Sequence, residues 1–383
     1  MNTRTWTGNI LAALLWVVTF SVHAENGVTQ SEIVIGMSNA LSGPSAGLGT
    51  QLKAGALAYF DTVNAAGGVN GRKIKLISYD DGYEPEQAAA MTRKLIEQDK
   101  VFALFGYVGT PTSAAATPFA TKMGVPYIAP FTGADALRNP VQKLVFNIRA
   151  SYFDETEAMV ERLTKDLGIK RIGVFMQDDG YGNAGKAGVS RALNKRGLTL
   201  AGEGKYIRNT TDVDAGLAAI KAANPEAVIM VGTYKACAEF VKKARASGFN
   251  PKFLNLSFVG TSNFIKEAGS AGEGVYITQV MPSPFDDAAA IVKQYQAVLK
   301  KADKKAEFDF TSLEGYVDAV VLVEALTKAG SNLTHASFIG AFESLNTDLG
   351  GLQVVYSPTD HQGSKSVFYT VVKNGKAVSI SKF

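Results

Sequence analysis

The sequence predicts an α/β protein made of two doubly wound lobes, each a parallel sheet between layers of helices. Short β-branched or apolar runs alternate with segments of helical spacing, and that alternation runs through two successive series. With 383 residues, 46% of them hydrophobic and 19% charged, the chain is globular and longer than one core of ordinary size.

The first series opens with the strand Ile33–Met37, which ends at Leu41-Ser42-Gly43-Pro44. Leu52, Ala56, Tyr59, Phe60 and Val63 then recur on one face of a helix that Gly67-Gly68 stops. Strand Ile74–Tyr79, helix Pro85–Gln98, strand Val101–Phe105, helix Pro111–Lys122 and strand Pro126–Ala129 follow, and Leu144–Ile148 closes the series. The second series runs helix Glu155–Asp166, strand Ile172–Phe175, helix Ala184–Lys195, strand Leu198–Glu203, helix Val213–Ala222, strand Ala227–Val231, helix Ala236–Ala246 and strand Lys252–Leu254. The tail differs: Val367–Val372 and Ala377–Ile380 flank Lys373-Asn374-Gly375-Lys376, and Asn-Gly between such runs predicts a hairpin. No low-complexity linker separates the series, so the lobes connect by short passages at strand level.

Composition removes several function classes. A net charge of +4 without Lys/Arg-rich runs or acidic tails is not the concentrated surface that nucleic acid or anionic membrane requires. The single cysteine, Cys237, can form neither an internal disulfide nor a cysteine-based zinc site, and no metal or cofactor is expected. The N-terminus reads as a secretory leader: Arg4 with no acid, the apolar run Ile10–Phe20, then Val22-His23-Ala24 at a cleavage point after Ala24. That run is about half the ~20 residues of a membrane span, so the mature chain is expected to be soluble, periplasmic and without stable membrane insertion. Trp6 and Trp16 both fall in the leader, which leaves the mature chain without tryptophan.

One motif invites another reading. Gly180-Tyr181-Gly182-Asn183-Ala184-Gly185 fits GxGxxG between a strand and a helix, with Glu203 downstream where a ribose-binding acid would sit. In a protein secreted away from nicotinamide, these glycines read instead as a tight strand-to-helix turn. No GxSxG occurs, and His335 and His361 stand in no nucleophile–base arrangement, so the chain is not read as an enzyme.

Several segments in order carry a family resemblance: Leu41-Ser42-Gly43-Pro44, the run Asn64 to Arg72, Tyr79-Asp80-Asp81, Gly106-Tyr107-Val108-Gly109-Thr110, Pro130-Phe131-Thr132, Asp178-Asp179-Gly180-Tyr181-Gly182, and Glu314-Gly315-Tyr316-Val317-Asp318-Ala319. Together they resemble the periplasmic leucine/isoleucine/valine-binding protein family over nearly the whole mature chain. The resemblance implies a type I periplasmic binding fold, with two lobes joined by three crossings, closing on a small ligand for an ABC-importer membrane permease. It also implies the division: 1–24 leader, 25–145 with 281–349 as lobe one, and 146–280 with 350–383 as lobe two. A ligand sensor of the same fold is the other role this architecture allows.

In such sheets ligands bind beyond the carboxyl ends of the strands, at helix N-termini. Gly109-Thr110-Pro111 places a hydroxyl there, read either as an N-cap or as a donor to an anionic ligand. Thr132-Gly133 reads the same way, and the resemblance places Thr110 at the family's ligand-carboxylate hydroxyl. Tyr152, Tyr181 and Tyr234 lie at strand ends of lobe two, where a ring can cover an apolar ligand body and offer a hydroxyl. The resemblance adds Ser42, Leu48 and Phe308 as pocket positions, and it places Ser257 where amino-acid binders carry the acid that pairs the ligand ammonium. An amino-acid ligand would then need Asp178, Asp179 or Glu314 in the cleft, whereas an aromatic or 2-oxo carboxylate would not. Thr311-Ser312-Leu313-Glu314 also fits a helix capping box, the structural alternative for Glu314.

Overall fold

The first sheet grows from β1 (Glu32–Asn39), whose Ile33, Ile35 and Met37 point into a core beneath α1 (Ala46–Ala65). The computed structural model describes residues 25–383, so the leader and its cleavage point lie outside the described residues. After β1 and α1 come β2 (Lys73–Asp80), α2 (Pro85–Glu97), β3 (Ala103–Phe105), α3 (Thr110–Met123), β4 (Tyr127–Ile128) and β5 (Val145–Phe146). Their order is β2-β1-β3-β4-β5, with every pairing parallel. A second core, built on Leu104, Tyr107, Ala116 and Tyr127, fills the opposite face of this sheet.

The chain then passes to the second lobe: α4 (Tyr152–Lys165), β6 (Ile172–Gln177), α5 (Gly180–Asn194), β7 (Gly202–Tyr206), α6 (Asp214–Ala223), β8 (Ala227–Val231), α7 (Tyr234–Ala246), β9 (Lys252–Asn255), α8 (Thr261–Ala268) and β10 (Tyr276–Gln279). It returns to the first lobe through α9 (Ala290–Ala302), α10 (Phe310–Ala329), α11 (His335–Glu343) and a ribbon of β11 (Asn346–Asp348) and β12 (Gln353–Val355). It finishes in the second lobe with the hairpin of β13 (Phe368–Lys373) and β14 (Lys376–Ile380). The second sheet has the order β14-β13-β10-β9-β8-β6-β7, parallel except where the hairpin adds antiparallel strands at its edge. Asn374 and Gly375 turn that hairpin with φ of 52° and 68°, as its Asn-Gly pair predicts.

Three passages therefore join the lobes. The first and third run side by side: Asn147 N–H donates to the His361 carbonyl at 2.9 Å, and Gly363 N–H to the Asn147 carbonyl at 2.7 Å. Leu352, Val354 and Tyr356 pack in the first lobe's core. The chain thus stays with the first lobe's core through Tyr356, past the 349/350 division that the resemblance implies.

Two helices start earlier than their periodicity suggests because caps precede them. Ser151 and Asp154 form a reciprocal box at the start of α4, and Asp179 accepts the Tyr181 N–H at the start of α5. β7 is shifted C-terminally from the predicted Leu198–Glu203, since Leu198 and Leu200 pack on the core of the second lobe as the chain approaches the sheet.

Helix α10 is buried on nearly every side and is seated by glycines. A Cβ at Gly55 of α1 would lie 1.8 Å from the Ser312 carbonyl oxygen, and one at Gly315 of α10 would lie 2.0 Å from that of Leu52. The two backbones touch directly, which fixes the N-terminal turn of α10 beside the interlobe surface.

Candidate functional site

The carboxyl ends of the two parallel sheets face each other, and in this structure the lobes are closed. Leu48, Tyr83, Val108 and Phe131 of the first lobe are continuous with the core of the second. The Phe258 ring lies 5.3 Å from Phe131, 6.3 Å from Tyr83 and 4.5 Å from Tyr181. Gln177 donates to the Tyr83 hydroxyl at 3.3 Å, Gly47 N–H to the Tyr234 hydroxyl at 3.2 Å, and Arg208 reaches both Glu84 at 2.9 Å and Asp179 at 3.0 Å.

At the center of this surface stands a chain of hydroxyls. Thr110 and Thr132 share a hydrogen bond of 2.7 Å between their Oγ1 atoms, and Thr132 donates to the Tyr152 hydroxyl at 3.2 Å. The capping role foreseen for Thr110 falls to Gly109, whose φ of 101° only glycine adopts readily and where a Cβ would strike the Tyr83 ring at 2.2 Å. Thr110 is the first residue of α3, and its hydroxyl is turned sideways to Thr132. Gly133 accepts the Tyr152 N–H at 2.7 Å and leaves room for its ring. Burial raises the Tyr152 pKa to about 12, so at neutral pH it remains a neutral donor. The Tyr181 ring lies 5.4 Å from that of Tyr152, and its buried hydroxyl has no hydrogen-bond partner among the described residues.

Beside the hydroxyls lies a buried charge cluster that sequence reasoning missed apart from Glu314 and Ser257. Arg149, 1% exposed, lays its guanidinium 4.7 Å from the Phe131 ring center and donates through Nη2 to Ser257 Oγ. Glu155 accepts from Ser257 N–H at 2.8 Å, Ser257 Oγ at 3.0 Å and Thr278 Oγ1 at 2.5 Å. Ser257, the serine that the resemblance places at the position of the family's ammonium-pairing acid, is thus bonded to a carboxylate that reaches in from α4. Glu314 Oε1 lies 3.5 Å from Arg149 Nη1. Its burial raises the Glu314 pKa to about 7 against the opposing pull of Arg149, and burial together with Glu314 raises Asp318. Burial works against the charge on Arg149, but Glu314 and Glu155 outweigh it and the pKa is raised. The capping-box reading of Glu314 fails because Asp309 accepts the Thr311 and Ser312 N–H groups.

Phe131, Ser257, Val280, Phe310 and Glu314 help to line a small cavity between the lobes whose free space, ≈ 10 Å³, admits about one water. Leu48 lies against Gly260 at the same surface. Other candidates fall elsewhere. Ser42 is exposed and its N–H donates to Asp80 at 3.1 Å, so it braces a loop. Phe308 packs on Tyr295 with ring centers 5.8 Å apart, away from the hydroxyl chain, because the loop before α10 folds back on α9. Asp178 turns outward to Lys205 at 3.0 Å, while Asp179 is taken up by Arg208 and the start of α5.

The GxGxxG segment is explained by packing. A Cβ at Gly182 would lie 1.9 Å from the Gln177 carbonyl oxygen, one at Gly185 would meet Val231 at 2.5 Å, and the acidic Asp179 caps the helix where a phosphate would bind.

Comparison with known proteins agrees with this architecture. A family model described as periplasmic binding protein matches residues 32–377. An amino acid binding protein of Pseudomonas aeruginosa is 28% identical over 339 residues, covering 87% of each chain. A possible leucine/isoleucine/valine-binding protein from Rhodopirellula baltica superposes with a TM-score of 0.88 at 37% identity, over 92% of this chain and 97% of that one. A substrate-binding periplasmic protein from Ralstonia solanacearum gives 0.85 at 32%, over 91% and 100%. The chain therefore belongs to the periplasmic binding protein family, with the type I fold of its leucine/isoleucine/valine-binding members, and it binds a substrate rather than transforming one.

Proposed function

We propose that this protein is the periplasmic substrate-binding component of an ABC importer, closing its lobes over an amino acid or a related small carboxylate and presenting it to the membrane permease. The observation that carries the reading is the interlobe surface: hydroxyls of Thr110, Thr132 and Tyr152 from both lobes in one hydrogen-bonded chain, walled by Phe131, Tyr181 and Phe258. Hydroxyl donors and aromatic cover suit a carboxylate with an apolar body. Gly133, Leu48, Tyr234 and Ser257 complete the lining. The moving bodies are residues 25–145 with 281–356, and 146–280 with 357–383. Secretion by a leader cleaved after Ala24 places the mature chain in the periplasm.

Among the three candidate acids, Glu314 is the one turned into this surface, which supports an amino-acid ligand whose ammonium it would pair. An aromatic or 2-oxo carboxylate is the second reading, favored by Glu155 having its oxygens already occupied and by Glu314 facing an arginine. A thermal-shift screen of the mature chain against leucine, phenylalanine, phenylpyruvate and benzoate tests both. Stabilization by at least one of these acids is expected, and none by any of them would contradict the carboxylate reading.

A further inference from the structure

Arg149 sits where the first passage between the lobes meets α4, and its guanidinium is held but not satisfied. Phe131 supports one face, and Nη2 is engaged by Ser257 and lies 3.7 Å from Glu155 Oε1. Nε and Nη1, which carry most of the guanidinium N–H groups, are buried without a hydrogen-bond partner among the described residues. An arginine cannot lose its charge to escape such a situation, and unpaired buried donors are strongly unfavorable. The group nearest the free end is Glu314, whose oxygen is 3.5 Å from Nη1, close enough to attract but too far for a good hydrogen bond.

The two carboxylates flanking Arg149 differ in kind. Glu155 is fixed by three donors and serves as the permanent counter-ion. Glu314 accepts no hydrogen bond among the described residues, and burial has moved its pKa up to about 7. Ser257 and Glu314, the side chains at the two Nη atoms, both line the small interlobe cavity, so the guanidinium lies directly behind the walls of the space that parts when the lobes open.

We propose that Arg149 is the receptor for the ligand's carboxylate group, and that Glu314 is the resident carboxylate that gives up its place at Nη1 when the ligand enters. The assignment rests on reading the interlobe surface as the ligand site. Thr110, Thr132 and Tyr152 then supply neutral donors to the same anion or to an oxygen beside it. An amine on the ligand would be met by the displaced Glu314, whereas an acid without an amine would leave Glu314 to hold a proton.

Calorimetric titration of the mature protein and of Arg149→Lys, Arg149→Met and Glu314→Gln tests this, using leucine, leucinamide, benzoate and benzamide. In the unaltered protein the acid of at least one pair is expected to bind and its amide to bind far more weakly. Arg149→Met should weaken the acid roughly 10- to 100-fold and abolish the preference of acid over amide, with Arg149→Lys intermediate. A residue that only supported the fold would weaken acid and amide alike and leave that preference intact. Glu314→Gln should tighten benzoate several-fold and weaken leucine. Should Arg149→Met fail to fold, Arg149→Lys and Glu314→Gln decide: unchanged affinity and unchanged preference in both would overturn the assignment while the unaltered protein still binds the acid. No binding of leucine, phenylalanine, phenylpyruvate or benzoate to the unaltered protein would overturn the reading of the site itself, and this assignment with it.

Discussion

The Thr110 hydroxyl caps no helix and braces no turn; its hydrogen bond is to Thr132, at the surface where the lobes meet. Its removal should therefore be felt in binding. Thr110→Ala is expected to weaken carboxylate binding by about 1–3 kcal/mol with little change in unfolding free energy, whereas Thr132→Ala, which also strips a partner from Tyr152, should lower both. Calorimetry paired with urea unfolding separates the two. Glu314 adds a pH dependence whose sign follows from its raised pKa. The unfolded carboxyl releases its proton near 4.5 and the folded one near 7, so the folded state binds more protons in between and stability falls as pH rises through that window. Urea unfolding of Glu314→Gln should show the variant gaining on the unaltered protein from pH 4.5 to 7, and a constant difference would contradict this. Thr110, Thr132, Tyr152, Tyr181 and Tyr234 were legible in the sequence because each directly follows a strand or a passage, where the topology presents side chains. Arg149 and Glu155 were not, because a charged residue beside an apolar run reads as surface. They are buried by residues distant in sequence: Phe131 and Ser257 against Arg149, and Ser257 and Thr278 against Glu155.

Among the elements, α10 places Glu314, and it does so through backbone contact with α1. Gly315→Ala would push a methyl group toward the Leu52 carbonyl, where there is no space for it, and should cost about 1–3 kcal/mol in urea unfolding while displacing Glu314. A smaller loss, about 1 kcal/mol, is expected for Asp309→Ala, which removes the cap of the same helix. The alternation of strand and helix, and the closing hairpin, could be read directly because half-buried strands and amphipathic helices print their periods on the sequence. Helix α10 was marked in the sequence by the capping-box pattern Thr311–Glu314 at its start and not by a clear stripe. Buried from Phe310 to Val323, it has no polar face and hence no periodic stripe. β7 was misplaced for a related reason: Leu198 and Leu200 are apolar because they pack on the core, not because they pair.

At the scale of the molecule, the closed arrangement is held by an apolar seam around Phe258 and by a polar rim in which Arg208 of the second lobe reaches Glu84 of the first. Arg208→Ala should shift the balance toward open lobes and weaken ligand binding, by roughly 1 kcal/mol at most for so partly exposed a pair. The two-lobed plan could be read from the two series of alternating elements. The closure could not, since it depends on which loops meet across the gap. The small free space between the lobes means that a ligand of amino-acid size enters only when they part, and it stabilizes the closed state because only that state touches it from both sides. Small-angle scattering of the mature protein, with and without a saturating carboxylate found to bind it, tests this most directly. A larger radius of gyration is expected without ligand and, with ligand, a scattering curve that matches the closed structure. Identical curves in the two conditions would contradict it.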